Sequence, residues 1–264
     1  MTINEVFPNP TVKRVIFQIR FPNLFYMENK IGDLQLKIMK EFPQSRLIYR
    51  KPIIFADIGS EVKRKSIPPD LRENILSELG EEEETAPKIW QFKSDKDFHL
   101  NVLSDSLDIT SKYHKTYSLE DGDKFRDIIK FVLDCFFEVT SIPIINRIGL
   151  RYIDECPIPS KDNDTFKSYY NSTFPLDRFD LSGADEMYFQ AMVKKNEHYL
   201  RYRESLQKVE DEYKLGLDFD GFAQNIASED YLKVTDSLHI IIREEFEKTI
   251  KEPVYNYMRR RKED

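Results

Sequence analysis

Four stretches of this chain repeat one pattern, and that pattern restricts the fold more than any other feature. In VIFQIRF, NRIGLRYID, HYLRYRES and LGLDFDG, apolar side chains fall at every second position. Between them stand Gln18 and Arg20, Arg147 and Arg151, Arg201 and Arg203, and Asp218 and Asp220. Successive side chains of a strand point to opposite faces, so each stretch reads as a strand with one apolar face and one strongly polar face. A sheet with one covered face and one open face is an antiparallel arrangement, whereas parallel sheets are buried on both sides.

Helices supply the cover. Ile31, Leu34, Ile38 and Phe42 recur at helical spacing between residues 24 and 42, and Phe125, Ile128, Ile129, Val132 and Phe136 recur between 122 and 138. A third stripe, Tyr231, Val234, Leu238 and Ile241, follows Ser228, which reads as its N-cap, and Pro253 reads as its stop. Residues 46–58, KIWQFKS and FHLNVLSDSLDITS add strands of a meander, and MYFQAMVKK forms a hairpin with HYLRYRES across Asn196-Glu197. The connections are hairpin-length, which disfavours a doubly wound parallel sheet.

The expected fold class is α+β, in two halves, each a mainly antiparallel sheet with amphipathic helices on one face. The first half covers 1–155, including 59–87, where KRK at 63–65, paired prolines and Glu81–Glu84 read as an exposed insertion. The second covers 156–264, with a long final helix and a basic tail, RRRK, at 259–262. The chain's 264 residues, 19 Phe and 14 Tyr provide enough apolar area for a core without a disulfide or metal.

Several chemistries lack their residues. Backbone cradles for phosphate need clustered glycine, yet only 8 occur. Gly216 and Gly221 have the interval of a nucleotide-binding loop, but Phe222 and Ala223 follow where Lys and Ser/Thr are required. Cys135 and Cys156 have no neighbouring His at ligand spacing, so no metal site is expected, and Cys135 in FVLDCFFEV reads as core. No cofactor is expected. The start of the sequence has neither a basic nor an apolar leader pattern, and no run is apolar enough to span a bilayer. A cytoplasmic protein without membrane association is the expectation.

The binding candidates are therefore Gln18, Arg20, Arg147, Arg151, Arg201, Arg203, Asp218 and Asp220, with His239 at the edge of the last helix's apolar stripe. Arginine offers carboxylate or phosphate a planar two-pronged fork, so a face of this kind suits an anionic ligand. The alternative is a solvated sheet face laced by cross-strand ion pairs. Asp218 and Asp220, two apart on one strand face, also have the spacing of an acid/base pair, and His239 lies beside no nucleophile signature. Tyr255 and Tyr257 beside the basic tail have the chemistry to stack on bases.

The phrases NPTVKRVIFQIRFP, Phe42-Pro43, NRIGLRYID and LDFD followed by SLHIIIREEF together resemble a sporadically distributed, functionally uncharacterised prokaryotic protein family with an N-terminal VIFQIRFP-type strand and a central RIGLRYID-type motif. The resemblance spans about residues 9–250. It implies no catalytic residue, and its patchy occurrence implies mobile genes such as defence or toxin–antitoxin islands. The functional expectation is a non-enzymatic binding or regulatory subunit for a protein or nucleic-acid partner, with homo-oligomerisation as another partner class. The alternative is an enzyme acting on a phosphate-containing substrate, with Arg20 and Arg151 as anion clamps and Asp218 or His239 in acid/base work.

Overall fold

The computed structural model of the chain describes residues 5–49, 88–112, 116–118, 124–209 and 212–260. The insertion expected at 59–87 lies outside them. In chain order the elements begin with β1 (Val12–Arg20), α1 (Met27–Ile38), β2 (Gln44–Tyr49), β3 (Lys88–Lys93), β4 (Phe98–Val102), β5 (Ser106–Ser111) and α2 (Phe125–Thr140). There follow β6 (Ile144–Pro157), α3 (Asn163–Tyr169), β7 (Met187–Lys195), β8 (His198–Val209), β9 (Glu212–Ala227), α4 (Tyr231–Thr249) and α5 (Glu252–Arg259). The fold is mixed α+β and its strand pairs are all antiparallel.

Among the described residues, the nine strands belong to one sheet, in the order β2-β3-β4-β5-β1-β6-β9-β8-β7. The expectation of a separate sheet for each half is corrected here, because β1 pairs with β6 along nearly its whole length and closes the gap between them. A division after residue 155 falls inside β6. Each of the two seam strands is followed by a helix and then by a meander whose last strand, β5 or β9, returns to its side. A second helix, α2 or α4, comes next.

The period-two pattern sets the faces. Phe17 lies opposite Ile109 on β5 and Leu150 on β6, and all three have 0% exposure. Leu217 and Phe219 on β9 and Leu200 and Leu206 on β8 extend this apolar face. Burying each such side chain contributes about 1.5–3 kcal/mol. Phe98 stacks on Phe125 and Phe21 meets Phe136, so α2 covers the first part of the sheet, with Leu34 and Ile38 of α1 buried beside it. α4 covers the second part, and Gly221 on β9 lets Leu238 and Ile242 come close to the strand. Cys156 is buried, whereas Cys135 packs only partly against the core.

Two helix boundaries differ from expectation. The Ser228 hydroxyl donates to the carbonyl of Ile142 rather than capping, and Ser228–Asp230 form a short 3-10 turn ahead of α4. Pro253 does not follow the last helix. It occupies the first turn of a further one, α5, where a missing N–H costs nothing. The start of the basic tail is thus a packed helix: Val254, Tyr255 and Met258 are buried, and Arg259 pairs with Glu5 and Glu252. Tyr255, buried against Phe7, has no face to offer a base.

Candidate functional site

The face of the sheet opposite α1, α2 and α4 carries the candidates. Strand register brings six of them together. Arg151 is opposite Asp220 and Ile153 opposite Asp218, while Arg201 and Arg203 on β8 flank the same two aspartates from the other side. The Arg151 guanidinium donates to both oxygens of Asp218, Nε to Oδ1 and Nη2 to Oδ2, each at 2.7 Å. Arg203 donates Nη1 to Asp218 Oδ2 at 2.6 Å and Nε to Gln190 on β7 at 2.7 Å. Arg147 reaches Asp220 at 2.9 Å, and Arg201 approaches the other oxygen at 3.5 Å.

Gly149 makes this geometry possible. A Cβ there would stand 2.6 Å from Nη1 of Arg147, so the absence of a side chain leaves the bed on which that guanidinium lies. From this bed Arg147 also sits over the Phe222 ring, 4.7 Å from its centroid, and Phe222 stacks on Tyr199 of β8 at 5.3 Å. On β1, Gln18 is opposite Gly149 and Arg20 opposite Arg147, and the exposed Arg20 leans towards Gln18 at 3.3 Å. Gln18 and Arg20 therefore flank the ion lattice without joining it.

Four guanidinium groups against two carboxylates leave this patch positively charged on a chain of net charge −7. Burial by itself raises the Asp218 carboxyl, but hydrogen bonds and charge from Arg151 and Arg203 outweigh it and hold the group below the usual carboxylate range. An acid so held stays ionised near neutral pH and is poorly matched to proton transfer.

The period-two reading missed a second polar group on the same face. Arg46 donates to Gln91 at 2.6 Å, Gln91 to Asn101 at 2.8 Å and Asn101 to Asp108 at 2.9 Å, each a cross-strand neighbour of the next, and Asp108 is opposite Gln18. Burial pushes the Asp108 carboxyl up, and the hydrogen bond from Asn101 opposes it. The signal was present in LNV and LDI, single polar residues enclosed by apolar ones.

His239 does not belong to the site. It lies on α4, on the covered side, where Nδ1 is 3.2 Å from the hydroxyl of Tyr152 and the ring stacks on Tyr117 at 4.0 Å. Tyr117 donates to Asp236, which Arg126 grips with two hydrogen bonds of 2.8 and 2.9 Å. The core side also holds two buried carboxyls. Asp154 is 4% exposed and accepts from Thr11 at 2.8 Å, and burial pushes it up to about 7. Glu204, with 0% exposure, accepts from the hydroxyls of Tyr202 and Ser172 and from the Thr173 N–H at 3.1 Å, which ties the segment after α3 to β8.

Among the described residues, no group of three or more His, Cys, Asp or Glu is placed to hold a metal ion, and no helix is long and apolar enough to cross a membrane. A groove of about 770 Å³ lies away from the arginines, beside the start of β7, with an apolar lining that includes Phe174, Phe179 and Phe189. Comparison with protein-family models, with curated proteins and with solved structures finds no match.

Proposed function

We propose that this chain is a non-enzymatic binding protein whose open sheet face recognises single-stranded nucleic acid. The observation that carries the reading is the excess of guanidinium over carboxylate around Gly149, with the Arg147 plane laid over the buried Phe222 ring and the partly exposed Tyr199 stacked beside it. Single-strand binders join positive charge that tracks the backbone to aromatic rings or guanidinium planes on which bases stack. A broad face also suits a polymer better than a small substrate, and the apolar groove is lined by none of the four lattice arginines or their two aspartates. The enzymatic alternative weakens at its acid/base groups, since Asp218 is held ionised and His239 lies across the sheet from Arg151. The two strands that carry most of the family resemblance, β1 and β6, are the two at the centre of this face, so the defence or toxin–antitoxin setting belongs to the same reading. We also read the order of elements as two strand–helix–meander–helix units fused through β1 and β6.

Fluorescence anisotropy with a labelled single-stranded RNA of about a dozen nucleotides tests the proposal. Binding is expected to fall steeply between about 50 and 200 mM salt, and Arg201→Ala or Arg147→Ala should lower both affinity and salt slope. No anisotropy change at low salt, with RNA or single-stranded DNA, would refute it.

A further inference from the structure

The geometry points to β7 as a self-complementary edge through which two copies of this chain join their sheets. Among the described residues, β7 pairs on one side only, with β8, in an unbroken register from Met187 to Lys195. Natural edge strands are usually blunted by a mid-strand charge, a proline or a bulge. MYFQAMV contains none of these, and Tyr188 and Met192 are each 59% exposed, with Val193 38% exposed.

Charge is confined to the two ends of this stretch and is opposite in sign. Asp185 and Glu186 precede it, Lys194 and Lys195 close it, and among the described residues Asp185, Glu186 and Lys194 form no ion pair, whereas Lys195 already pairs with Glu245 of its own chain at 3.0 Å. An antiparallel partner of the same sequence, placed about a two-fold axis through Gln190, satisfies both ends at once. Glu186 then lies opposite Lys194 of the second copy, Asp185 opposite Lys195, Tyr188 opposite Met192 and Met187 opposite Val193. Because side chains opposite each other share a face, Tyr188 and Met192 meet on the open face. Val193 of the second copy meets Met187 at the mouth of the apolar groove, whose lining includes Phe174, Phe179 and Phe189. Such an isologous contact closes at two copies. It also sets the two Arg203–Gln190 contacts beside the axis, so both arginine lattices lie on one continuous surface. The pairing stands whether or not that surface binds nucleic acid.

Sedimentation velocity of the full chain over a range of concentrations, in low salt, reads the assembly directly. The wild type is expected to dimerise. Lys194→Glu and Glu186→Lys each set like charges opposite one another twice per dimer, and each should weaken dimerisation at least about tenfold with an unchanged circular dichroism spectrum. The double variant Glu186→Lys/Lys194→Glu restores opposite charges in the same register and should regain the dimer. A chain that stays monomeric at about 100 µM, as it would if the edge served a strand of a different protein, overturns the proposal. So does a dimer that either single reversal leaves intact, or a double variant no better than the singles.

Discussion

Adding one methyl group on either side of the same sheet separates the packed face from the proposed binding face. Gly221 and Gly149 lie on adjacent strands, and a Cβ at each would meet something different. At Gly221 the methyl would stand 3.3 Å from Cδ1 and 3.4 Å from Cγ1 of Ile242, and 3.6 Å from Cβ of Leu238. Those side chains are 3% and 0% exposed, so the Ile242 side chain has little room to give the few tenths of an ångström required. Overpacking of this kind costs about 1–3 kcal/mol. The reduced freedom of the unfolded chain returns about 0.4–1 kcal/mol, which leaves Gly221→Ala destabilised by about 1–2 kcal/mol. At Gly149 the clash, 2.6 Å, is shorter but falls on the far end of the Arg147 side chain, which can swing away into solvent. The loss is a partly exposed ion pair of about 0–1 kcal/mol, offset by the same entropic gain. Gly149→Ala should therefore keep its stability within about 0.5 kcal/mol while losing affinity for RNA, because Arg147 leaves Phe222 and Asp220. Urea titrations, read as midpoint shifts at constant slope, measure both variants. A loss of about 2 kcal/mol or more in Gly149→Ala, or a neutral Gly221→Ala, would show that the polar face is the structural one and refute the assignment.

Three further outcomes follow from the polar groups. Arg151→Ala should cost only about 1 kcal/mol in urea, because Asp218 keeps Arg203 at 2.6 Å, whereas Asp218→Ala, which strands Arg151 and leaves Arg203 with Gln190 alone, should cost about 2 kcal/mol. Asp154, raised by burial from its usual 3.8 to about 7, stabilises the fold most below about pH 4 and loses that contribution as pH climbs through 7. At about 1.4 kcal/mol per pH unit the span is about 4 kcal/mol, and Asp154→Asn should flatten the stability profile between about pH 4 and 7 in pH-resolved denaturation. Glu204→Ala leaves the Tyr202 and Ser172 hydroxyls and the Thr173 N–H without their acceptor and should cost about 3 kcal/mol or more, with faster amide exchange at Thr173; Glu204→Gln should recover most of the loss.

Much of this architecture was legible from local pattern, because alternation fixes which way each strand faces. Phe17, Ile19, Leu150, Leu217, Phe219 and Leu238 are fully buried, as their strand faces and helical stripe imply, whereas Tyr152, whose hydroxyl meets His239, is partly exposed. The candidate arginines and aspartates were legible for the same reason. Their partners were not, since Arg151 and Asp218 are 67 residues apart and periodicity carries no information on stagger or strand order. That gap hid the single sheet as well as the Arg46–Gln91–Asn101–Asp108 row. His239, read at the edge of a helical stripe, packs on the covered side against Tyr152 and Tyr117, and such an edge does not by itself reveal on which side of the sheet the helix lies. Ser228 and Pro253 were misread through tertiary context: a distant carbonyl took the serine hydroxyl, and a new helix began where proline is tolerated.

The seam between β1 and β6 has a cost that appears only when the chain is made from one end. β1 leaves the ribosome well ahead of both neighbours: β5 begins only at Ser106, and the strand on its other side begins at Ile144. At about 5–20 residues per second, that edge waits on the order of ten seconds for its partner. During this interval the middle of the future sheet is a growing boundary, exposed to any other extended chain. Arg14 and Arg20, near the two ends of the waiting strand, are charges of the kind that discourage such encounters. Positive charge on this strand thus has a use before any ligand arrives, as protection for a half-made protein.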